Sequence, residues 1–412
     1  MVRDGFKLTE VGEIPEEWEV VALGNIGTFK NGINKPKSAF GHGFPFVNLM
    51  DIFGKPIISK YDLSELLDTS ERERKDYNLI DGDVLFIRSS VKPSGVGLTS
   101  VVNGTILDCT YSGFLIRFRA ENDQLDNGFK RYCFYDARFR RSVIASSSVS
   151  ANTNVNQVAL SNLLLPLPPL PEQRRIAAIL SDVDGLLAAL DAVVAKKAAV
   201  KAGVMEELLT GERRLARFGG EWLNPVLNSY ASLRSGYTFK SDTYNPAGIY
   251  KVITIANVQA GFMTTSDCNK ITDIPTDIQS HQKLDIGDLL ISMTGNVGRV
   301  AVVTEQNLLL NQRVGKIESS GIDRQFLYHR LNSKDFVKAM IDAAKGGAQP
   351  NLSSKDILDY NFPLPPLPEQ RAIAAVLTAM DEELAALRLR VAKLERVKAG
   401  LLGELLSGRL RV

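Results

Sequence analysis

The amino-acid sequence predicts an α+β protein in which two mixed α/β blocks are separated by two long helices packed as an antiparallel coiled coil, with an internal pseudo-two-fold. Three observations lead to this prediction. One segment occurs twice, heptad spacing runs through both copies, and the stretches before each copy mix short β-branched runs with turns. We expect four regions: block 1 (1–165), helical region 1 (166–215), block 2 (216–361) and helical region 2 (362–412).

The duplication is the strongest signal in the chain. The repeated segment begins at Leu165 and again at Phe362, and the copies align without a gap over about 50 positions, of which roughly 30 are identical. They open with LPLPPLPEQRRIAAIL and FPLPPLPEQRAIAAVL. A solenoid would show more copies at a period of about 20 to 50 residues. Two equal halves instead predict a two-fold arrangement that presents two similar surfaces to a partner.

Each copy predicts a long helix that follows an extended segment. The proline run forbids helix up to its last member, Pro171 or Pro368, where proline and a following acidic residue favour a helix start. Apolar residues then recur in alternating steps of four and three, as in a coiled coil. Gly211 and Gly408 stand where C-terminal caps belong. At about 1.5 Å per residue we expect a rod of roughly 57 Å.

An amphipathic core helix would explain one such copy taken alone. Two matched copies separated by a whole block favour helices that pack on each other, and they are antiparallel if a two-fold relates the halves. Lys197, Lys201 and Lys398 interrupt the apolar seam, which weakens the pairing but fixes its register. We therefore expect the rod to hold the two blocks at opposite ends.

The two blocks share a skeleton although their residues differ. Each begins near a lone tryptophan, Trp18 or Trp222, and contains a short β-branched run after a glycine turn, GDVLFIRSS or GDLLISMTG. Each ends in a polar segment, SSSVSANTN or KGGAQPN. One fold with two different reading surfaces is the natural interpretation.

Composition limits the class of protein. With 412 residues, 44% hydrophobic and 23% charged, the chain is long enough for about two to four ordinary globular domains. The net charge of +2 excludes a chain that is basic throughout, but it allows local basic patches. Three scattered cysteines and no apolar run of membrane length predict a soluble cytoplasmic protein with reduced thiols.

The sequence lacks recognisable catalytic constellations. The three histidines have no metal-ligand spacing, and neither a phosphate-binding P-loop nor a nucleophile elbow occurs. The glycine-rich GHGFPF around His42 is interpreted as a loop and not as a nucleotide cradle. Asp81 with Asp83, and Asp285 with Asp288, precede strands, so turn chemistry is favoured over a nuclease site. We expect this chain to have no enzyme activity and to bind no metal or cofactor.

Loop residues at corresponding places in both blocks carry groups suited to DNA. Lysine and arginine neutralise phosphates, and arginine, asparagine and glutamine can bind base edges in the major groove. Each residue taken alone is more often a solvated surface residue, so the matched grouping carries the hypothesis. The candidates are Lys30, Lys35, Lys37, Arg88, Ser89, Ser90, Lys92, Ser148, Asn152 and Asn154 in block 1, and Arg234, Tyr237, Lys240, Thr294, Asn296, Arg299, Arg313, Lys345, Gln349 and Asn351 in block 2.

The chain resembles the specificity subunits of type I restriction–modification systems over its entire length. PEQRRIAAIL and PEQRAIAAVL with their heptads, and ELLTG and ELLSG, resemble the conserved regions of that family, and IRSSVKPSGVG, ISMTGNVGRVAVV and GGAQPNLS resemble parts of its target-recognition domains. The resemblance implies that blocks 1 and 2 are target-recognition domains 1 and 2, each of which binds half of a split double-stranded DNA target. The two-helix rod would set the gap between the halves.

The same resemblance implies partners. Two methyltransferase subunits would dock beside the rod, and restriction motor–nuclease subunits would be optional further members of the complex. S-adenosylmethionine, ATP and Mg²⁺ would be bound by those subunits and not by this chain.

Two alternatives stay open at this point: a free-standing DNA-binding adaptor without methyltransferase partners, and a coiled-coil-bridged nuclease or transferase with an unrecognised site. The absent motifs weigh against the enzyme. The three residues after each proline run are Glu-Gln-Arg in both copies of the repeat. This repetition favours a docking partner, although structural capping would preserve it too. These triplets give the candidate partner-binding residues Glu172, Gln173, Arg174, Glu369, Gln370 and Arg371. Co-purification of a methyltransferase with this chain would separate the adaptor from the subunit.

Overall fold

The computed structural model describes residues 2–149, 152–345 and 350–412, and the chain forms two compact units. Unit 1 comprises Met1–Asp191 and Arg390–Val412, and unit 2 comprises Ala192–Leu389. Each unit therefore combines one block with one half of each long helix. The boundaries between the two compact units fall within the long helices and not between blocks and helices. The division into four regions therefore stays a prediction.

Block 1 is a mixture of short strands and short helices joined by turns. Its strands are β1 (Phe6–Thr9), β2 (Gly12–Pro15), β3 (Glu19–Ala22), β4 (Gly27–Asn31), β5 (Phe40–Val47), β6 (Ile57–Ile58), β7 (Leu66–Leu67), β8 (Val84–Ile87), β9 (Ser89–Ser90), β10 (Thr99–Val102), β11 (Thr110–Tyr111), β12 (Leu115–Ala120), β13 (Ser148–Val149), β14 (Thr153–Asn154) and β15 (Leu164–Leu167). Its helices are α1 (Leu23–Ile26), α2 (Leu49–Ile52), α3 (Glu71–Asp76), α4 (Lys130–Cys133), α5 (Ala137–Ala145) and α6 (Gln157–Ser161).

The largest sheet of block 1 has the strand order β4-β12-β8-β10-β6 and is antiparallel except for the β10–β6 pair. Its strand β8 reads VLFI and is buried at every position, which accounts for the continuous apolar run. Two smaller sheets have the orders β11-β5-β7 and β13-β14-β9. The loop predicted for GHGFPF is wrong, because the segment lies in β5. Gly41 and Gly43 adopt positive φ at an irregularity in the register and allow the strand to continue.

Block 2 repeats this design with fewer strands and is joined to block 1 by the long helix α7 (Leu170–Thr210). Its strands are β16 (Ala231–Ser235), β17 (Tyr250–Ile253), β18 (Asn269–Ile271), β19 (Lys283–Leu284), β20 (Leu289–Ser292), β21 (Val300–Val302), β22 (Leu308–Leu310) and β23 (Val314–Ser319). Its helices are α8 (Arg324–Leu331), α9 (Lys334–Ala343) and α10 (Ser354–Leu358), and the second long helix, α11 (Leu367–Leu406), follows.

The blocks share one sheet topology. The order β16-β23-β20-β21 in block 2 corresponds to β4-β12-β8-β10 in block 1. The parallel pair of β17 with β22 corresponds to the parallel pair of β5 with β11. The shared skeleton predicted from the sequence is therefore confirmed.

In unit 1 the long helices run side by side in opposite directions. Glu172, near the start of α7, pairs with Arg411, beyond the end of α11, at 2.7 Å. Further along α7, Asp184 pairs with Lys398, which lies earlier in the sequence of α11, at 2.5 Å. Residue numbers therefore fall along one helix as they rise along the other.

Unit 2 shows the same antiparallel pairing between the other halves of the two helices. Lys197 of α7 pairs with Glu383 of α11 at 2.6 Å, and Lys201, one turn later, pairs with Asp381. The three seam lysines thus have carboxylate partners on the opposite helix, which explains how charged residues are accommodated in an apolar seam. The antiparallel helix pair predicted from the heptads is confirmed in each unit.

Both long helices end at the predicted caps. Gly211 has φ 79° and Gly408 has φ 69°, in the left-handed region that glycine adopts without a steric penalty. Among the described residues, no helix is both long enough and apolar enough to cross a membrane.

The apolar seam of the helices is continuous with the core of each unit. In unit 1, Ile176 and Leu180 of α7 and Leu405 of α11 are fully buried in the cluster that contains the aromatic residues of the large sheet. In unit 2, Ile373 and Leu377 of α11 are buried with the apolar residues of α8 and α9. In each unit the helices therefore share a core cluster with the block, and the blocks are not appendages of the helices.

Leu377→Ala should destabilise unit 2 by about 2–5 kcal/mol, because it leaves a cavity at a fully buried position. The matched control is Leu389→Ala in the same helix, at a side chain that is 53% exposed, which should change stability by less than about 0.5 kcal/mol. Urea unfolding followed by circular dichroism measures both. Equal small effects would contradict a core shared between helix and block.

Candidate nucleic-acid interface

A buried carboxylate at the start of α7 joins three segments of unit 1. Glu172 is 4% exposed, and its Oε2 accepts a hydrogen bond from the Trp18 indole Nε1 at 2.9 Å. The Arg411 guanidinium donates to the same carboxylate from beyond the end of α11, through Nε at 2.7 Å. The charge of Glu172 is therefore both paired and hydrogen-bonded, as a buried carboxylate requires.

Unit 2 contains the same arrangement at the start of α11. Glu369 is fully buried, and its Oε2 accepts a hydrogen bond from the Trp222 Nε1 at 3.1 Å. Arg214, just after the end of α7, donates to both carboxylate oxygens at 3.0 and 2.6 Å. The duplicated sequence thus builds one anchor twice, and each anchor ties a block to both long helices.

The neighbouring glutamines hold the block against the helix start. In unit 1, Gln173 accepts from the Asp126 N–H at 2.9 Å and donates to the Pro168 carbonyl at 2.8 Å. In unit 2, Gln370 accepts from the Asp323 N–H at 2.8 Å and donates to the Pro365 carbonyl at 2.8 Å. These contacts satisfy polar atoms at the buried helix termini.

Four of the six predicted partner-binding residues therefore lie inside their own units. The buried side chains of Glu172, Gln173, Glu369 and Gln370 form the anchors just described. The exposed members are Arg371 and Arg174, whose side chain is 68% exposed and lies 3.6 Å from Asp126. The partner-binding role of the six residues stays a prediction. Of their side chains, those of the two arginines are accessible to a partner.

A second matched cluster links each block to the seam. In unit 1 the Tyr132 hydroxyl donates to Asp184 at 2.9 Å, next to Lys398. In unit 2 the equivalent residue is His329, whose Nε2 lies 3.1 Å from the Thr378 hydroxyl and whose Nδ1 lies 3.8 Å from Asp381. Burial lowers the pKa of His329 to about 4, against the opposing effect of the Asp381 carboxylate.

The predicted DNA-binding residues of block 1 fall into two groups. One group lies on the small sheet of β9, β14 and β13, where Asn154 pairs with Ser89 on one side and with Ser148 on the other. Arg88 precedes β9, and its Nη1 donates to the Gly113 carbonyl at 3.3 Å. Ser90 of this sheet lines one cavity together with Lys92 and Asn152. The structure therefore brings together residues that are some sixty positions apart in the sequence.

The three lysines near the start of block 1 form the other group. Lys30 lies over the Tyr77 ring and donates to the Asp76 carbonyl at 2.8 Å. Lys35 pairs with Glu73 at 2.8 Å, and this pair together with the Ser70 backbone lowers the pKa of Glu73 to about 2. Of the three, Lys37 is exposed. Lys30 and Lys35 therefore have structural partners on or near α3.

The candidates of block 2 also come together, at the place that corresponds to the pairing of β9 with β14. This place, which contains Ser89 and Asn154 in block 1 and Thr294 and Asn351 in block 2, is the sheet edge of each block. Thr294 bridges Asn351, as Ser89 pairs with Asn154 in block 1. The Arg299 guanidinium donates to the Gln259 side chain at 2.6 Å. Asn296 is exposed in the short turn between them.

The other block 2 candidates lie elsewhere or have partners. Arg234 pairs with Glu318 at 2.8 Å, and Lys345 pairs with Asp342 at 2.5 Å. The Tyr237 hydroxyl donates to Asp277 at 2.9 Å, which raises the pKa of that tyrosine. Lys240 is exposed, and Gln349 lies outside the described residues.

Matching backbone hydrogen bonds identify equivalent positions in the two blocks. The Arg88 N–H donates to the Phe114 carbonyl at 2.8 Å, and the Met293 N–H donates to the Arg313 carbonyl at 3.0 Å. Arg88 therefore corresponds to Met293, and Phe114 corresponds to Arg313. The predicted groups correspond in place, but their side chains differ residue by residue.

The carboxylates in the turns have structural roles, as predicted. Asp83 Oδ2 accepts from the Ile80 N–H at 2.8 Å and pairs with Arg119 at 2.6 Å. Asp288 accepts from the Asp285 N–H at 2.9 Å and pairs with Lys316 at 2.7 Å. Within the ranges that the structure describes, no group of three or more histidines, cysteines and carboxylates is arranged to hold a metal ion.

The family of type I restriction modification DNA specificity domains matches residues 15–199 and 222–396, once in each half of the chain. The chain belongs to this family. The MjaVIII specificity subunit of a type I restriction enzyme from Methanocaldococcus jannaschii is 25% identical over 99% of this chain and 96% of the relative. The EcoKI specificity subunit of Escherichia coli is 24% identical over 88% of this chain and 82% of the relative.

Two solved structures have a similar fold. The S subunit of the type I restriction–modification system from M. genitalium has a TM-score of 0.58 at 16% identity, covering 98% of this chain and 99% of that chain. A chain from a study of complex assembly and conformational transition in the type I system has a TM-score of 0.59 at 19% identity, covering 96% and 99%. The family match in both halves, and not the structural likeness, makes this specificity subunit a DNA-recognition subunit, as the sequence predicts.

Sequence reasoning missed several residues of this specificity subunit that the structure places at important positions. Arg214 and Arg411 complete the two anchors, and their equal positions in the aligned repeats were an available signal. Phe53 and Phe114 lie beside the predicted DNA-binding residues of block 1. No sequence pattern indicated this, because they belong to different segments and are apolar.

The stability of unit 2 should depend on pH through His329. Its pKa is about 4 in the folded chain, whereas the usual pKa of histidine, taken for the unfolded chain, is 6.5. Below about pH 6.5 the unfolded chain therefore gains a proton that the folded chain does not. The free energy of unfolding is therefore highest above that pH and declines as the pH falls, by up to about 1.4 kcal/mol per pH unit. His329→Gln should flatten this decline in urea unfolding between about pH 7 and 5.

Tyr132→Phe in unit 1 is the matched control for this experiment. It removes the hydrogen bond to Asp184 but no imidazole, so it should lower stability without changing the pH slope. The same slope in His329→Gln as in the unchanged protein would contradict a buried neutral imidazole.

Proposed function

We propose that each block binds one half of a split double-stranded DNA target and that this chain performs no catalysis itself. The observation that carries the proposal is one scaffold built twice with different side chains at the same sheet edge. Because the two blocks have the same scaffold, folding does not require their side chains at this edge to differ. Recognition of two different DNA sequences explains best why these side chains differ. Methylation and cleavage would then be performed by other subunits of a type I complex in the cytoplasm.

The candidate edge of each block has the chemistry that DNA binding requires. Lys92 in block 1 and Arg313 in block 2 are exposed, and each lies beside a serine, threonine or asparagine of the paired strands. Lysine at such a place can position the phosphate backbone, and arginine and the neighbouring polar groups can contact base edges. The near-neutral net charge of +2 fits local contacts of this type better than general electrostatic attraction to DNA.

We further propose that two methyltransferase subunits dock on the long helices, one at each unit, and that motor–nuclease subunits join the same complex. Both helices expose large apolar side chains at equivalent positions, since Val200 of α7 and Val397 of α11 are each 51% exposed. Arg174 and Arg371 add an exposed cation near each helix start. S-adenosylmethionine, ATP and Mg²⁺ would be bound by these partners, which supply the chemistry.

Arg88→Ala should relax recognition of one half-site only, and Arg313→Ala should relax recognition of the other. Each arginine lies at the candidate edge of a different block, and an arginine contact with a base contributes about 1–3 kcal/mol of discrimination. Selection of bound sequences from DNA randomised in both halves measures the two effects separately. The experiment uses this chain together with the subunits that copurify with it.

The matched control removes the same charge elsewhere in block 1. Arg72 lies on α3 with a side chain that is 93% exposed, so Arg72→Ala should leave both half-sequences unchanged. Relaxed recognition in both halves from either arginine change would contradict the assignment of one block to each half-site.

A further inference from the structure

We propose that block 1 reads at least one thymine of its half-site by enclosing the thymine 5-methyl group in an apolar cavity, whereas the same place in block 2 reads polar base atoms. This inference rests on the proposed function, because it specifies what the edge of block 1 recognises. The cavity has a volume of about 570 Å³ and is lined by α2, by the loop after β9 and by Phe114.

The cavity is bordered by large apolar side chains that solvent reaches. Met50 is 72% exposed, Phe53 50%, Val91 83% and Phe114 56%. Single exposed apolar residues are common on protein surfaces, but several around one opening indicate a binding site. The side chains come from three separate segments, so the cavity is a product of the fold and not of one apolar loop.

The surroundings of the cavity indicate that its occupant belongs to a nucleic acid. Ser89, Ser90 and Lys92 line it together with the apolar residues, and Arg88 immediately precedes them. A cation at the rim favours an anionic ligand, and the hydroxyl groups can accept or donate hydrogen bonds at a base edge. An apolar patch with cationic and hydroxyl neighbours fits a base that carries an apolar group and is attached to a phosphate backbone.

Among the four bases, thymine presents such a group in the major groove. Guanine, adenine and cytosine display hydrogen-bonding atoms there, whereas thymine displays one acceptor and the 5-methyl group. Proteins read that methyl by apolar contact. The exposed phenylalanines of the cavity therefore match thymine better than any other base.

Block 2 places polar side chains at the equivalent positions. The turns after β5 and β17 match, because a backbone N–H donates to a side-chain oxygen three residues later in both, at Asp51 (2.7 Å) and at Asn257 (2.9 Å). Phe53 and Gln259 each lie two residues beyond these turns and are therefore equivalent. Arg313 likewise stands where block 1 has Phe114.

The polar set of block 2 is already organised. Gln259 accepts a hydrogen bond from the Arg299 guanidinium at 2.6 Å, and Arg313 is exposed. Arginine binds the O6 and N7 atoms of guanine bidentately, and glutamine binds the N6 and N7 atoms of adenine. The exchange of two aromatic residues for an amide and a guanidinium on one scaffold would change the preferred feature from a methyl group to polar base atoms.

Replacement of thymine by deoxyuridine tests the proposal, because uracil differs from thymine only in lacking the methyl group. The bound sequence is first selected from randomised DNA with this chain and its copurifying subunits, and each thymine is then replaced singly. At one or more positions in the half-site of block 1, the replacement should weaken binding about three- to ten-fold, as expected for the loss of one buried methyl group. Phe53→Ala and Phe114→Ala should each bring the ratio of the affinity for thymine to the affinity for uracil at that position closer to one.

The controls separate the cavity from general effects. Tyr61→Ala removes an 86% exposed aromatic residue of block 1 that does not line the cavity, and it should keep the thymine preference. Because Phe53 is half exposed, Phe53→Ala is expected to fold, and thermal unfolding by circular dichroism verifies this.

Each outcome has a defined meaning. Sequence-selective binding without any difference between thymine and uracil in the half-site of block 1 would overturn this inference and leave the proposed function intact. An unchanged thymine preference in both phenylalanine variants would overturn it as well. Absence of sequence-selective DNA binding would overturn the proposed function itself, together with the inference that rests on it.

Discussion

A buried carboxylate at the start of each long helix is the interaction on which each unit depends. Glu172 and Glu369 each accept a hydrogen bond from a tryptophan of the block. Each also forms an ion pair with an arginine that follows the other long helix. An unpaired buried carboxylate would be strongly destabilising, so the three segments must assemble together. This constraint explains why the proline run, the tryptophan and the arginine occur once in each half.

The duplicated anchor separates the requirements of folding from those of recognition. Core strands such as β8 and β20 are buried at every position, and the helix starts use the same contacts in both units. The sheet edges are free to differ, and they do: Phe114 in block 1 stands where block 2 has Arg313. A protein of this design can change the DNA sequence that one half reads without changing the scaffold that presents it.

The sequence predicted those features that depend on neighbours along the chain. Heptads, caps at Gly211 and Gly408, and turns at Asp83 and Asp288 follow from local spacing and were confirmed. The burial of Glu172 was not visible, because its partners Trp18 and Arg411 are distant in sequence. The apolar cavity was missed for the same reason, since Phe53 and Phe114 are distant in sequence and line one cavity only in the folded chain. The DNA contacts of individual loop residues stay predictions.

Replacing residues 222–364 by residues 18–167 would show whether each block reads its own half-site. Both segments run from the anchoring tryptophan to the proline run, so the graft keeps both anchors and gives the chain two copies of block 1. We expect a folded subunit that selects, from randomised DNA, a target whose two halves have the sequence read by block 1. If a folded graft still selected the original pair of different half-sequences, the blocks would not be the parts of the chain that read the two halves.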